Sequence, residues 1–210
     1  AVGDISVTNG VAQDFAGSGT SYTFNVDPTD GAAVSVTIQV AAGVATDTFG
    51  NTNLASNQLT RTSDTVKPTV SLSSAAPANV NAPFSVTATF SESVSNFILS
   101  DINVTNGSAS AFSGSGTTYT FTISPSSPGT VTVAIPADIA SDDAGNLNTA
   151  ASDLTREYNN VQPSLTLSSA TPNPTNGLIA VSATFSAAVT GFAVGDISVT
   201  NGVAQDFAGS

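Results

Sequence analysis

The sequence predicts an all-β protein built as tandem seven-stranded β-sandwiches, one complete and two partial. The first observation behind this prediction is a repeat: the 18 residues from Ala1 to Ser18 recur letter for letter from Ala193 to Ser210. A looser copy occupies the middle of the chain, and the Asp-Ile pairs of the three copies start at Asp4, Asp101 and Asp196, 97 and 95 residues apart. A period of this length suits a small β domain and is too long for one unit of a helical solenoid.

The second observation is the alternation of apolar and polar residues in a chain rich in Thr, Ser, Val and Gly, which favours strands and tight turns. Residues 67–161 hold the complete unit. Its first two strands carry Val70 and Leu72, then Phe84, Val86, Ala88 and Phe90. Ile102 and Val104 mark the third strand, which Asn106-Gly107 is predicted to end in a hairpin turn. Four further strands follow, at Ala109 to Phe112, at Tyr119, Phe121 and Ile123, at Val131, Val133 and Ile135, and at Leu154. Seven short strands in this order predict an immunoglobulin-like sandwich.

The two ends of the chain are predicted to be complementary halves of the same fold. Residues 1–66 match the C-terminal part of the repeat, and residues 162–210 match its N-terminal part. Half a sandwich leaves core side chains and strand edges uncovered. We therefore expect either a slice of a longer repetitive fibre or short subunits that polymerise by completing each other's half domains. The mass of the chains in a denatured filament would separate the two.

Composition excludes several classes of function. The chain contains no Cys, His, Met or Trp, so zinc sites, disulfides and Ser-His or Cys-His catalysis have no residues to use. Its 15 acidic and 3 basic residues give a net charge of −12, which repels nucleic acid and anionic membranes. No apolar run has the length of a membrane span. We expect neither an enzyme, nor a nucleic-acid partner, nor insertion into a membrane.

The order of motifs through the complete unit resembles a known family. The run PTVSLSSAAP, NAPFSVTATFSESV, SDINVTNG and GSGTTYTFTI, closed by DDAGNLN and LTR, is similar to the bacterial Ig-like tandem repeats of giant surface adhesins and biofilm-associated proteins. The resemblance implies a non-catalytic stalk or fibre segment outside the bacterial cell, often stiffened by calcium. Its partners would be neighbouring repeats of the same fibre, with any surface receptor bound by a module outside these residues. A loop-based glycan-binding or protein-binding module is the remaining alternative.

One set of oxygen ligands is a candidate metal site. In the predicted topology two loops of the complete unit lie beside the incoming linker, and they carry carboxylates and one amide. Calcium prefers such ligands. The predicted ligands are Asp64, Glu92, Asp101, Asp142, Asp143 and Asn146. The alternative is that these acids cap turns and solubilise loops.

The predicted site differs between the two junctions of the chain. Ala187 replaces Glu92 in the last segment, and Asn159-Asn160 replace the linker acid. We therefore expect tighter calcium binding near Lys67 than near Gln162. In the first segment the matching ligands would be Asp4 and Asp47.

Overall fold

The computed structural model describes residues 1–209; Ser210, the last residue of the predicted 162–210 segment, lies outside them. Backbone contacts divide the chain into two compact units, residues 1–159 and 160–210. The three-segment division predicted above stays a prediction. The described residues form three short 3-10 helices (Val2–Asp4, Leu99–Asp101 and Val194–Asp196) and are otherwise strands, turns and loops. They include no helix with the length and hydrophobicity needed to span a membrane.

The first unit begins with five strands: β1 (Ile5–Thr8), β2 (Gly10–Ser18), β3 (Ser21–Pro28), β4 (Val34–Val40) and β5 (Leu59–Ser63). They form a three-stranded sheet in the order β1-β4-β5 and a separate β2-β3 hairpin. Val36 is the most buried apolar side chain of this half, whereas Tyr22 and Leu59 are exposed. The alternating pattern therefore builds strands here without enclosing a full core.

Residues 70–158 form a complete sandwich of two sheets. The strands are β6 (Val70–Ser73), β7 (Asn79–Val80), β8 (Phe84–Val94), β9 (Asn103–Thr105), β10 (Gly107–Pro125), β11 (Gly129–Ala134) and β12 (Leu154–Tyr158). One sheet has the order β10-β8-β6 and the other β7-β12-β11-β9. The inward faces of both sheets bury their apolar side chains, among them Val86, Phe121, Ile123, Val131 and Val133. Period-2 alternation in the sequence therefore translates directly into one buried face per strand. The all-β, immunoglobulin-like fold is confirmed.

Two details of the predicted strand map are wrong. Asn106 turns the chain with a φ of +59°, but Gly107 has no positive φ, as a type I′ hairpin would require. The strands on either side of this turn join different sheets, because β9 pairs with β11 and β10 pairs with β8. The separate strand predicted at Ala109 to Phe112 is instead one arm of β10. This span folds back near Gly116 (φ +65°), so that Gly107 lies against Ser124 and Pro125.

The second unit carries β13 (Leu165–Ser168) and β14 (Ser182–Phe185), which pair antiparallel with Leu165 opposite Phe185. These two strands correspond to β6 and β8, whose pairing places Val70 opposite Phe90. The side chains of Leu167, Ile179 and Val181 are exposed. This unit therefore reproduces the beginning of the sandwich and leaves its inner face uncovered.

Candidate metal centre

Three of the predicted ligands lie close together in the structure. Asp64 follows β5, Glu92 belongs to the end of β8, and Asp142 lies within the loop between β11 and β12. One carboxylate oxygen from each of the three lies within 4.8 Å of the others. Oxygens on opposite sides of a calcium ion lie about 5 Å apart, because each Ca–O distance is about 2.3–2.6 Å. The spacing of the three carboxylates therefore fits this ion.

The three carboxylates border a depression made from both halves of the first unit. Residues from the first segment and from the middle sandwich share its lining: Ala33, Thr62, Asp64, Glu92, Ser93, Asp142, Asp143 and Ala144. Asp142 is buried and the side chains of Asp64 and Glu92 are half-buried. Ser93 and Thr62 were missed by sequence reasoning because a hydroxyl in a Ser-rich and Thr-rich chain carries no distinguishing signal.

The loop after β11 holds Asp142 in a fixed position. Asp142 Oδ1 accepts hydrogen bonds from the backbone N–H groups of Ala144 (2.8 Å) and Asn146 (2.9 Å). Asn146 Nδ2 donates to Asp142 Oδ2 (2.8 Å) and to the backbone oxygen of Asp64 (3.0 Å). Asn146 thus ties the loop to the linker, and its amide nitrogen faces the acids. Asp142 therefore caps this turn, as one interpretation predicted, and also belongs to the group of three acids.

The other predicted ligands are placed differently. Asp143 is exposed and lines the same depression. Asp101 does not belong to the group of three acids, and its Oδ2 accepts a hydrogen bond from the Ile98 N–H (2.8 Å), which closes the 3-10 helix on itself. In the first segment, Asp47 accepts hydrogen bonds from the backbone N–H of Phe49 and of Asn51. Asp4 is instead paired with the N-terminal amine of Ala1.

The local environment shifts the pKa values of Glu92 and Asp142 in opposite directions. Burial, followed by the charges of Asp142 and Asp64, raises the pKa of the Glu92 carboxyl. Burial by itself would raise the pKa of Asp142, but hydrogen bonds from Asn146, Ala144 and Gly145 outweigh it and lower this pKa. Within residues 1–209 no Lys or Arg forms a salt bridge with the three acids. The cluster therefore concentrates negative charge, and the raised pKa of Glu92 makes this carboxyl easier to protonate.

We expect Glu92→Gln to raise the unfolding free energy of the metal-free protein at neutral pH, by less than about 1 kcal/mol because the group is partly solvated. A carboxyl with a raised pKa in the folded state destabilises that state when ionised, so stability rises as the pH falls through the raised pKa. Asp142 has the opposite sign, and its contribution is lost as the pH falls through its lowered pKa. Urea denaturation of the wild type and of Glu92→Gln, in the presence of a chelator and at several pH values from neutral to acidic, measures this difference in unfolding free energy. The control is Asp153→Asn, because Asp153 is exposed. A wild type and a Glu92→Gln variant with the same pH profile would contradict the assignment.

The comparison with known families decides what the middle of the chain is. Residues 64–158 match the family model of the bacterial Ig-like domain. This segment is a bacterial Ig-like repeat. The match starts at Asp64, so this Ig-like repeat includes all three clustered acids. None of the curated proteins compared with the chain matches it. The bacterial Ig-like domain is a non-enzymatic fold family, typically found outside the cell or on its surface.

Proposed function

We propose that this chain is a non-catalytic structural segment of the stalk or fibre of a bacterial cell-surface adhesin or filament. The observation that carries the proposal is that the sequence motifs of the complete Ig-like repeat recur on both sides of it, in the predicted partial repeats 1–66 and 162–210. A series of similar modules transmits force and sets distance, and it needs no catalytic site. The net charge of −12 keeps such a fibre soluble and apart from anionic surfaces.

We further propose that calcium occupies the depression formed by Asp64, Glu92 and Asp142 and stiffens the junction there. Support comes from the source of the three ligands, which lie in the linker, at the end of β8 and in the β11–β12 loop. A bound cation supplies positive charge that offsets the repulsion among the acids. Asp64 would then be held close to Glu92 and Asp142, and the linker that follows it would lose freedom to swivel. Pro68, buried at the end of this linker, limits the same motion.

Calcium titration tests the metal proposal directly. We expect one site in isothermal titration calorimetry with a Kd of about 10⁻⁴–10⁻³ M, the range of extracellular modules. Calcium at ten times Kd should stabilise the fold by about 1.4 kcal/mol. Glu92→Gln should weaken binding about 10-fold or more, which is 1.4 kcal/mol of affinity, while Asp153→Asn should leave it unchanged. Equal titration curves for these two variants, or no heat at all, would overturn the site.

A test on cells addresses the stalk. An antibody against the folded Ig-like repeat should label intact bacteria that produce the protein, and external protease should remove the label. Labelling that appears only after lysis would contradict the extracellular assignment.

A loop-based binding module is the second candidate function. It is favoured by Phe49 and Leu54, which are almost fully exposed in the loop between β4 and β5.

A further inference from the structure

Strand β9 of the Ig-like repeat carries a short acceptor pattern for N-linked sugars. Residues 101–105 read Asp-Ile-Asn-Val-Thr, and an asparagine followed two positions later by Ser or Thr is the acceptor sequence of N-glycosylation. The bacterial enzymes that carry out this transfer also select an acid two positions before the asparagine, and Asp101 occupies that position. The chain has one other triplet of this kind, Asn106-Gly107-Ser108. The structure distinguishes between the two.

The acceptor asparagine of the first triplet is exposed on an edge strand. Asn103 and Thr105 are exposed on the outer side of β9, whereas Val104 between them packs against the core. In the sheet β7-β12-β11-β9, β9 lies at the end and pairs with β11 alone among the described strands. Within residues 1–209 no hydrogen bond engages the amide of Asn103. The amide nitrogen and the hydroxyl group two residues later therefore face solvent on the same side of the strand.

The asparagine of the second triplet is already used inside the fold. Asn106 Nδ2 donates to the backbone oxygens of Ser127 (2.8 Å) and Thr130 (3.3 Å). Its Oδ1 accepts from the backbone N–H (3.2 Å) and from the hydroxyl group (2.8 Å) of Ser127. A sugar attached to this amide would break the hydrogen bonds that hold the turn at Asn106. Asn106 is therefore a structural residue, and Asn103 is the accessible one.

We propose that Asn103 is the acceptor of an N-linked oligosaccharide donated by a polyisoprenoid lipid diphosphate. Asn103 Nδ2 forms a bond to the anomeric carbon of the first sugar, and the bond from this carbon to the diphosphate oxygen breaks. The lipid diphosphate leaves with the electron pair of that bond, and the amide gives one proton to a base of the transferring enzyme. The inference rests on the proposed surface location, because such lipids present their sugars outside the cytoplasm.

A glycan on Asn103 would also cover the open edge of β9. Exposed edge strands present unpaired N–H and C=O groups that can pair with another chain, and natural proteins block such edges with charges, bulges or covering groups. Residues 103–105 carry no charge. An N-linked sugar is bulky and solubilising, so it would keep neighbouring fibres apart at this edge.

The first segment contains a matched position that lacks the acceptor. Residues 4–8 read Asp-Ile-Ser-Val-Thr, so Ser6 stands where the Ig-like repeat has Asn103. Ser6 and Thr8 are exposed, and their strand β1 is likewise the end strand of its sheet, β1-β4-β5. Ser6→Asn makes this pentapeptide identical to residues 101–105. We therefore expect this substitution to create a second acceptor.

Glycan transfer in vitro tests the inference on the folded 210-residue chain. The purified protein is incubated with a bacterial oligosaccharyltransferase and a polyisoprenyl-diphosphate oligosaccharide, and intact-mass spectrometry measures the product. The wild type should gain one increment equal to the mass of the oligosaccharide, and Asn103→Gln should lose it. Ser108→Ala removes the second triplet without changing Asn106 and should keep the increment. Ser6→Asn should gain two increments.

Two substitutions of Thr105 separate recognition by the enzyme from folding. Thr105→Ala should lose the increment and Thr105→Ser should retain it, while circular dichroism shows the same fold for both. A wild type without an increment, an increment that survives Asn103→Gln, or one that is lost in Ser108→Ala overturns the inference. Because the assay uses purified protein, it can fail while antibody labelling of intact cells succeeds, and it can succeed where that labelling fails.

Discussion

Phe121→Ala should lower the unfolding free energy of the Ig-like repeat by about 3–5 kcal/mol. Phe121 is 1% exposed, lies opposite Val86 in the β10–β8 pair, and belongs to the core enclosed by both sheets. Removing its ring loses the transfer free energy of the buried carbons and leaves a cavity that rigid strands cannot close. Urea denaturation followed by circular dichroism and tyrosine fluorescence measures the loss.

Phe49→Ala is the matched control for this substitution. It removes the same atoms from a side chain that is 90% exposed, and exposed positions away from specific contacts change stability by less than about 0.5 kcal/mol. Equal losses for the two variants would show that residues 70–158 do not enclose the core described above.

Asn148→Ala should lower the unfolding free energy by about 3 kcal/mol or more, which is a large effect for the loss of a polar side chain. Asn148 is 1% exposed. Its Oδ1 accepts from the N–H groups of Ile139 and Ala140, and its Nδ2 donates to the oxygens of Pro136 and Thr149. Alanine leaves four backbone groups without these partners in a place that water does not reach easily.

Asn53→Ala separates the effect of burial from the effect of hydrogen bonding. Asn53 makes the same four kinds of bond, to Val44, Ala45, Ala41 and Leu54, but in a more exposed loop. Water can replace the lost hydrogen-bond partners there, so we expect the unfolding free energy to fall by less than about 1 kcal/mol. Amide hydrogen exchange at Ala140 and Ala45 provides a local readout. Similar losses of protection at both sites would contradict the role assigned to burial.

The inward face of each strand was predictable because a side-chain period of two is a local property. Phe84, Val86, Ala88 and Phe90 are all buried, as alternation predicted. The turn at Asn106 was misread for the opposite reason. A positive φ at one residue is local, but whether the flanking strands pair with each other depends on partners 20 or more residues away, such as Val133 for Val104.

The candidate metal centre was predictable only in part. Positions at the end of β8, in the loop after β11 and in the linker indicated Glu92, Asp142 and Asp64, and the structure brings these three together. Asp101 has the same chemistry and an equally plausible position, yet its carboxylate is used by the Ile98 N–H. Distances between loops follow from the packing of the two sheets, which no local pattern records.

The sequence by itself determined the repeat, its period of about 95 residues, the strand pattern and the lack of Cys and His side chains, because these depend on residue identity and on spacing along the chain. Only the tertiary structure decided which acids share a depression and which strand edges and core faces are left uncovered at Tyr22 and Val181. The physical reason is that burial belongs to pairs of strands. The same alternating sequence is covered in residues 70–158, whereas Tyr22 and Val181 on either side of them remain exposed.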